Sequence, residues 1–290
     1  DETLLALATQ LDLSGGDPQD HKVAIVGNLF DRNEEDQRAN VRELHRLIEG
    51  LGLELSSVWL DGGDFADLRA VRDAGVVISL PYARRAAKAI VRRTGATLIH
   101  SELPFGLPAT ERWLRSLGDA LGRRDQAEAL IERELTEIIP RLEWVIPHQF
   151  QGRRFGFVGD PYLVAGMNDI TKLLGATLGF VIIPNAPRRT RKLDGILDPR
   201  TKQLIWPKMG TFRRFVLAER DTTGVDLLVT NDAGSSFAGM ASFEFGFPSF
   251  HSHHLFERPS LGFRGFMAFA DSMANTMARF ELAQGAASME

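Results

Sequence analysis

The stretch "HKVAIVGNL", residues 21–29, indicates the fold class of this chain. It is an apolar, β-branched run that ends in a Gly-Asn pair. Such a run predicts a strand buried on both faces and the turn by which the chain leaves a parallel sheet. The residues after it, 31–53, carry apolar side chains at helical spacing and stop signals at Gly50 and Gly52. A strand followed by a crossover helix predicts an α/β protein.

The same alternation continues along the chain. Further strands are predicted at 54–60, 76–80 and 96–103, with helices at 63–75, 83–95, 108–121 and 125–144. Pro140 predicts a kink or break in the last of these helices. The pattern then restarts, with strands at 152–161, 180–185 and 225–232 and helices at 162–179 and 263–285. We therefore expect an α/β fold of two Rossmann-like domains with parallel sheets flanked by helices, 1–146 with a connector helix and 147–290 with a C-terminal helix.

The amino-acid composition limits the classes of partner that we expect. The 290 residues are 44% hydrophobic and 25% charged, with a formal net charge of −4, which is typical of a globular protein. This charge gives no electrostatic reason to expect nucleic acid as a partner. No apolar run approaches the ~20 residues of a membrane span, and the acidic first residues lack the basic region of a signal peptide. The expected location is the cytoplasm, without a membrane partner.

The chain contains no cysteine. This excludes disulfides, thiolate-ligated zinc and a cysteine nucleophile within the chain. It also means that the chain cannot supply thiolate ligands to an iron–sulfur cluster.

Ligands of open α/β sheets bind outside the carboxyl ends of the strands. The predicted ends here are rich in Gly, Asn, Asp and Pro, at 27–28, 61–63, 81–82, 159–161, 185 and 231–232. These residues either line a ligand cleft or only form the turns that such residues favour. The dinucleotide, P-loop, zinc-protease and nucleophile-elbow motifs are absent from the sequence. The basic run at 186–195 either holds an anion or is a solvated loop.

The stretch "FGFPSFHSHHLFERPSLGFRG", residues 245–265, contains three of the seven histidines. In an extended segment His251 and His253 share one face and His254 points to the other. Three interpretations stay open: a structural or subunit-docking loop, a substrate or cofactor pocket, and an adventitious metal site. In "GFRG", Gly262 and Gly265 permit a tight entry to the last helix, and Arg264 can cover a carboxylate or carbonyl there.

Several segments occur together in a known family. They are "VGNLFDRNEE", "LPFGLPATERWLRSLGDALG", "GRRFGFVGDPYLVAGMNDITKLLG" and "GFPSFHSHHLFERPSLGFRG". Over essentially its whole length the chain resembles the component 1 proteins of nitrogenase and their relatives. These include the cofactor-assembly scaffold and the light-independent protochlorophyllide and chlorophyllide reductases. The nitrogenase β-type subunits look nearest.

The resemblance implies an oxidoreductase subunit related to nitrogen fixation, with a β-type scaffold role. Its implied partners are a homologous α-type subunit in a hetero-oligomer and an ATP-dependent iron protein that passes electrons through an interfacial iron–sulfur cluster. Members of the family carry three Rossmann-like domains, and cysteines of the first hold that cluster. This chain lacks an N-terminal cysteine-bearing domain, so we expect a fragment whose cluster ligands are absent, with a cluster-free relative as the other interpretation.

The sequence does not single out a catalytic residue, and no metal ligand is assigned. The candidates for the cofactor or substrate pocket are His100, Asp160, His251, His253 and Arg264. Two other functions stay open. One is a non-catalytic scaffold for metallocofactor assembly, and the other is a two-lobed protein that closes around a small molecule.

Overall fold

The computed structural model describes residues 1–29, 34–184, 193, 195–231, 239–246 and 251–287. The chain divides into two compact units. Unit 1 comprises Asp1–Pro104, Ala109–Leu135 and His254–Gly265, and unit 2 comprises Phe105–Pro108, Thr136–His253 and Phe266–Glu290. The chain thus enters each unit more than once. The division into domains at residues 146 and 147 stays a prediction from the sequence.

The sheet of unit 1 has four parallel strands in the order β2-β1-β3-β4. They are β1 (Gln19–Val26), β2 (Glu54–Val58), β3 (Ala74–Ser79) and β4 (Thr97–His100). The central strand β1 owes its position to the apolar run from Val23 to Val26, whose residues are 0% exposed. Because β1 has a strand on either side and helices over its faces, continuous rather than alternating hydrophobicity is what its place requires.

Helices alternate with these strands. They are α1 (Glu2–Gln10), α2 (Glu35–Gly50), α3 (Arg84–Thr94), and the short 3-10 helices Phe65–Asp73 and Pro81–Ala83. The helix predicted at 63–75 is therefore a 3-10 helix. Two further helices, α4 (Leu107–Leu121) and α5 (Arg124–Val145), follow. Pro140 lies inside α5 and does not end it; a π-helical turn, Ile146–Phe150, follows the helix instead.

The sheet of unit 2 has five parallel strands in the order β7-β6-β5-β8-β9. They are β5 (Arg154–Val158), β6 (Thr177–Ile183), β7 (Lys202–Ile205), β8 (Leu227–Thr230) and β9 (Ala241–Glu244). Its helices include α6 (Val164–Leu173) and α7 (Met209–Thr223), and the last helix of the chain is α8 (Gly262–Ala287). The elements β7, α7 and β9 are not predicted by the sequence patterns above.

Phenylalanines fill part of unit 2. The ring of Phe105 stacks on Phe245 at 5.1 Å between centroids, and Phe269 meets Phe245 edge-on at 4.8 Å. Phe243 meets Phe269 at 5.3 Å. Such offset and edge-on pairs are the arrangements that aromatic side chains prefer. The phenylalanines of β9 and its exit therefore pack against one another, whereas 247–250 lie outside the described residues.

The predicted fold class is confirmed: both sheets are parallel and flanked by helices. Within the described ranges, no helix combines the length and apolar character that crossing a membrane requires.

Candidate functional site

The strand orders define one switch point in each sheet, where successive strands are added on opposite sides. In unit 1 it lies between β1 and β3, and in unit 2 between β5 and β8. The crevice outside the carboxyl ends of such strands is the usual ligand site of an open α/β sheet. Gly27 follows β1 with φ 98°, and a Cβ there would come within 2.9 Å of the Cβ of Ala83. Gly27 therefore lets the chain after β3 approach the end of β1.

Asp160 lies at the switch point of unit 2, directly after β5. Its Oδ1 accepts a hydrogen bond from the backbone N–H of Tyr162 at 2.8 Å, and its carbonyl accepts one from Leu163 at 3.1 Å. This is the local turn that aspartate side chains favour after a strand. Asp160 is half-buried, so its position combines a turn-forming role with a place at the edge where ligands bind.

His100 ends β4 in unit 1 and is exposed. The guanidinium of Arg84 joins the ends of β3 and β4 beside it: it donates to the carbonyl of Ser79, to that of Ser101 at 2.7 Å and to Glu102 at 3.2 Å. Its Nη1 lies 3.3 Å from Nδ1 of His100. Partial burial lowers the pKa of His100 below its ordinary value of 6.5, and the positive charges of Arg84 and Lys88 lower it further.

We expect the imidazole of His100 to titrate below pH 6.5, so that more than half of the rings are neutral at that pH. The Lys88→Gln and Arg84→Gln variants should each raise the pKa, because a nearby cation is removed, without restoring it fully, because burial is retained. An NMR titration of the ring protons measures this. The changes in the pKa of His100 should be smaller in about 1 M salt, where charges are screened. A pKa that is the same in both variants and in the parent chain would contradict the role given to the two cations.

The histidine stretch is held in unit 2 by the buried carboxylate of Glu244, at the end of β9. Its Oε1 accepts the backbone N–H of His251 at 2.9 Å, and its Oε2 accepts the hydroxyl of Ser252 at 2.8 Å. His251 and His253 are exposed, whereas Ser252 and His254 are half-buried. Glu244 thus fixes the stretch through the backbone N–H of His251 and the hydroxyl of Ser252.

Removal of this carboxylate should loosen the stretch. In the Glu244→Ala variant we expect amide hydrogen exchange at His251 to accelerate by about tenfold or more, because a hydrogen bond to a charged acceptor is lost. Exchange measured by mass spectrometry on peptides that cover 245–256 tests this. The Glu257→Ala variant, which removes a side chain that is 66% exposed, should leave His251 unchanged.

In unit 1 the following segment, 254–265, is fastened to α2 by buried polar groups. Asn40 is 6% exposed, and its Oδ1 accepts the backbone N–H of Ser260 at 2.7 Å and that of Leu261 at 3.0 Å. Glu34 accepts the backbone N–H of His254 at 2.7 Å. Side chains of α2 and its cap therefore accept from the backbone N–H groups of His254, Ser260 and Leu261.

Glu43 completes this attachment with a charged network. Its carboxylate is buried and accepts two hydrogen bonds from Arg46, each of 2.7 Å. Arg46 also donates to Glu134 at 2.5 Å. Burial acts to lower the pKa of Arg46, but hydrogen bonds to both carboxylates outweigh it and raise that pKa. Arg264 places its Nε 3.9 Å from Glu43, and a Cβ on Gly262 would lie 2.5 Å from the Glu43 side chain.

The candidate residues are thus divided between the two units. His100 and Arg264 lie in unit 1, whereas Asp160, His251 and His253 lie in unit 2. Asn185, Asp232 and most of the basic run 186–195 lie outside the described residues. Within the described part of the chain, no three His, Cys, Asp or Glu side chains are grouped so that they could hold a metal ion.

A family model described as nitrogenase component 1 type oxidoreductase matches residues 1–278. The chain belongs to this family. The family consists of oxidoreductases whose members bind metal–sulfur clusters, and the match includes both sheets, α2 and the 254–265 segment.

Sequence similarity to individual curated proteins is consistent with this family. The chain is 24% identical over 185 residues to the nitrogenase molybdenum-iron protein beta chain of Nostoc sp., covering 60% of this chain and 34% of that one. It is 26% identical over 216 residues to the corresponding beta chain of Frankia alni, covering 70% and 39%. It is also 25% identical over 162 residues to subunit N of the light-independent protochlorophyllide reductase of Synechococcus sp., covering 56% and 34%.

A solved structure has the same fold. It is described as nitrogenase Cp1 at pH 6.5, and it superposes with a TM-score of 0.76 at 19% identity, covering 95% of this chain and 63% of that chain. The alignments span between about a third and two-fifths of the length of the two beta chains. The chain is thus similar to part of each relative.

The residues of this component 1 chain do not fit an iron–sulfur cluster of the family. Such clusters are held by cysteine thiolates, and the sequence has no cysteine. The histidine stretch does not substitute for them, because His251 and His253 are exposed and the described residues form no metal-ligating group. These 290 residues therefore supply no thiolate ligand to such a cluster.

Proposed function

We propose that this chain acts as a β-type subunit of a nitrogenase-like component 1 reductase. Its own contribution is structural: it supplies the scaffold and the contacts with a homologous α-type subunit. The complex receives electrons from an ATP-dependent iron protein through a cluster that other residues ligate. Membership of the component 1 family and the similarity to nitrogenase beta chains support this proposal.

The main support for this proposal is the exposure of apolar side chains in the 254–265 segment. Leu255 is 78% exposed and Phe256 is 84% exposed. Aromatic and other large apolar residues are enriched in protein interfaces, and adjacent ones on a surface mark contact sites when they are not needed in the core. Neither side chain packs into unit 1, although the backbone on both sides of the pair is tightly held.

The anchoring of the segment favours a contact role over a loose loop. The backbone carbonyl of His254 accepts from Glu35 at 3.1 Å, and Glu257 pairs with Arg42 at 3.0 Å. Leu255 and Phe256 lie between these two anchors. A segment ordered before association loses less conformational entropy when it binds, so the two side chains are prepared for a partner surface.

The same contacts would serve a cofactor-assembly scaffold, and the substrate of the complex is left unassigned because a family fold does not define a reaction. Electron transfer tests the catalytic part of the proposal. A complex of this chain with its α-type partner, mixed with the iron protein and ATP, should show reduction of its cluster. A complex that assembles and stays oxidised would assign the chain to assembly instead. The cytoplasmic location stays a prediction.

Binding of the purified α-type subunit from the same genome tests the subunit role. We expect the chain to bind it in an interferometry assay, and the Phe256→Ser variant to bind at least about tenfold more weakly, as for the removal of a central aromatic contact. Leu282→Ser, at a residue that is 76% exposed on α8, is the matched control and should bind normally. Absence of binding, or equal loss in both variants, would overturn the proposed contact.

A further inference from the structure

Unit 2 contains a cavity at the end of its sheet opposite the strand carboxyl ends. The cavity has a volume of about 260 Å³, and its lining includes Arg154, Asn168, Lys172, Asp198, Arg200 and Thr201. Arg154 is the first residue of β5, so this is the amino edge of the sheet. A water molecule needs about 10–15 Å³ of such space. The cavity therefore has room for a compact solute and not only for a single water.

Arg154 lines this cavity and carries a buried donor that is unsatisfied. Its Nε is buried and has no hydrogen-bond partner among the described residues. The guanidinium lies over Gly179, where a Cβ would come within 2.5 Å of Nε. The nearby carboxylate of Asp226 is used otherwise, since it accepts the backbone N–H of Arg154 at 2.7 Å and the side chain of Arg153 at 3.1 Å. A buried N–H of this kind is costly unless a ligand or water accepts its hydrogen bond.

The charge of the lining favours an anion. Three cationic side chains, Arg154, Lys172 and Arg200, lie there with one carboxylate, Asp198. Arg200 donates to Asp198 from its Nε at 3.1 Å and from its backbone at 2.8 Å. These hydrogen bonds, with a smaller contribution from the charge of Lys172, hold the pKa of Asp198 below its ordinary value. In the described part of the chain, Lys172 forms no ion pair within 4.0 Å, so its charge is available.

The last turn of α6, beside the cavity, is closed by backbone hydrogen bonds. The carbonyls of Ile170, Thr171 and Lys172 accept backbone hydrogen bonds from 174, 176 and 175, at 3.0, 3.0 and 3.1 Å. Carbonyls that are capped in this way do not present free acceptors to the cavity.

We propose that this cavity binds a compact oxyanion of the phosphate class. The guanidinium of Arg154 supplies the planar donor pair that matches phosphate oxygens, and Lys172 adds a mobile charge. The site uses neither the strand carboxyl ends nor the 254–265 segment. It is therefore independent of the proposed subunit role, and either can fail without the other.

Calorimetric titration of the 290-residue chain with inorganic phosphate, at ionic strength held constant with chloride, tests the proposal. We expect saturable binding at one site. The Arg154→Gln and Lys172→Gln variants should each bind at least about tenfold more weakly, since each loses a charge-assisted hydrogen bond. Asp198→Asn should bind more tightly because the repelling carboxylate of the described lining is removed. Lys172 is exposed, so its variant retains the fold even if that of Arg154 does not.

Two exposed cations outside the lining, Arg213 and Lys208, supply controls of identical charge change. Arg213→Gln and Lys208→Gln should retain the affinity of the parent chain within about twofold, because screening weakens distant surface charges. Equal weakening in all four variants would show general charge attraction and overturn the site. A parallel titration with glycerol 3-phosphate distinguishes free phosphate from a phosphate ester as the ligand. The compound that binds more tightly identifies the source. If neither compound gives saturable binding, the proposal is overturned.

Discussion

The Glu43→Ala variant is expected to lose about 3–5 kcal/mol of its free energy of unfolding, the cost of removing one partner of a buried ion pair. Glu43 is 2% exposed and takes two hydrogen bonds from Arg46. Without it, the guanidinium keeps its hydrogen bonds to Glu134, and the backbone N–H of Arg264, 3.3 Å from Glu43, loses an acceptor. Urea denaturation followed by circular dichroism measures the change.

Two further variants make this prediction specific. Glu35→Ala removes a more exposed carboxylate of the same helix, which pairs with Arg38 and Arg42, and should cost at most about 1 kcal/mol. The triple variant Glu43→Leu, Arg46→Met and Glu134→Leu should recover much of the loss, because the three charges of the network are then removed together. A loss below about 1 kcal/mol in Glu43→Ala would show that the network does not hold the 254–265 segment.

The second large effect is expected in unit 2, at Gly166 of α6. A Cβ at this position would lie 2.3 Å from the carbonyl oxygen of Phe105 and 2.5 Å from its ring. Alanine favours a helix over glycine by about 0.5–1 kcal/mol, but the overlap should dominate. We expect Gly166→Ala to lower the free energy of unfolding by about 1–3 kcal/mol, the usual cost of overpacking.

Gly210 supplies the matched control, because it also lies in a helix, α7, and nothing stands within 4 Å of a Cβ built there. Gly210→Ala should therefore stabilise the chain by about 0.4–1 kcal/mol. Changes of opposite sign in the free energy of unfolding would confirm that glycine is required at position 166 by the close approach of Phe105 and not by helix propensity. Stabilisation by both would contradict the packing described here.

The sequence predicts most strands because their apolar runs reflect burial on both faces. It does not predict β7, which is the edge strand next to β6, and most of its residues are exposed. The helix α7 is also not predicted because it is largely exposed: its buried residues are Val216 and Glu219. Pro140 predicts a kink or a break, and the helix α5 continues through it without the break.

The candidate site is only partly predictable. Asp160 can be located because the strand-end rule depends on local sequence and on strand order. The anchors Asn40 and Glu43 cannot, since their partners in the last segment lie 220 and 221 residues away. A buried glutamate in an amphipathic helix gives no sequence signal that distinguishes it from a solvated one. Glu244 is similar, because its role depends on a backbone N–H and not on a pattern of side chains.

We propose that this component 1 chain contacts an α-type subunit through the 254–265 segment. Hydrogen exchange of the chain, measured with and without the purified α-type subunit, tests it most directly. We predict that peptides covering Leu255 and Phe256 gain protection on complex formation, while peptides from α7 exchange as before. A complex that protects other surfaces and leaves the 254–265 segment unchanged would contradict the account.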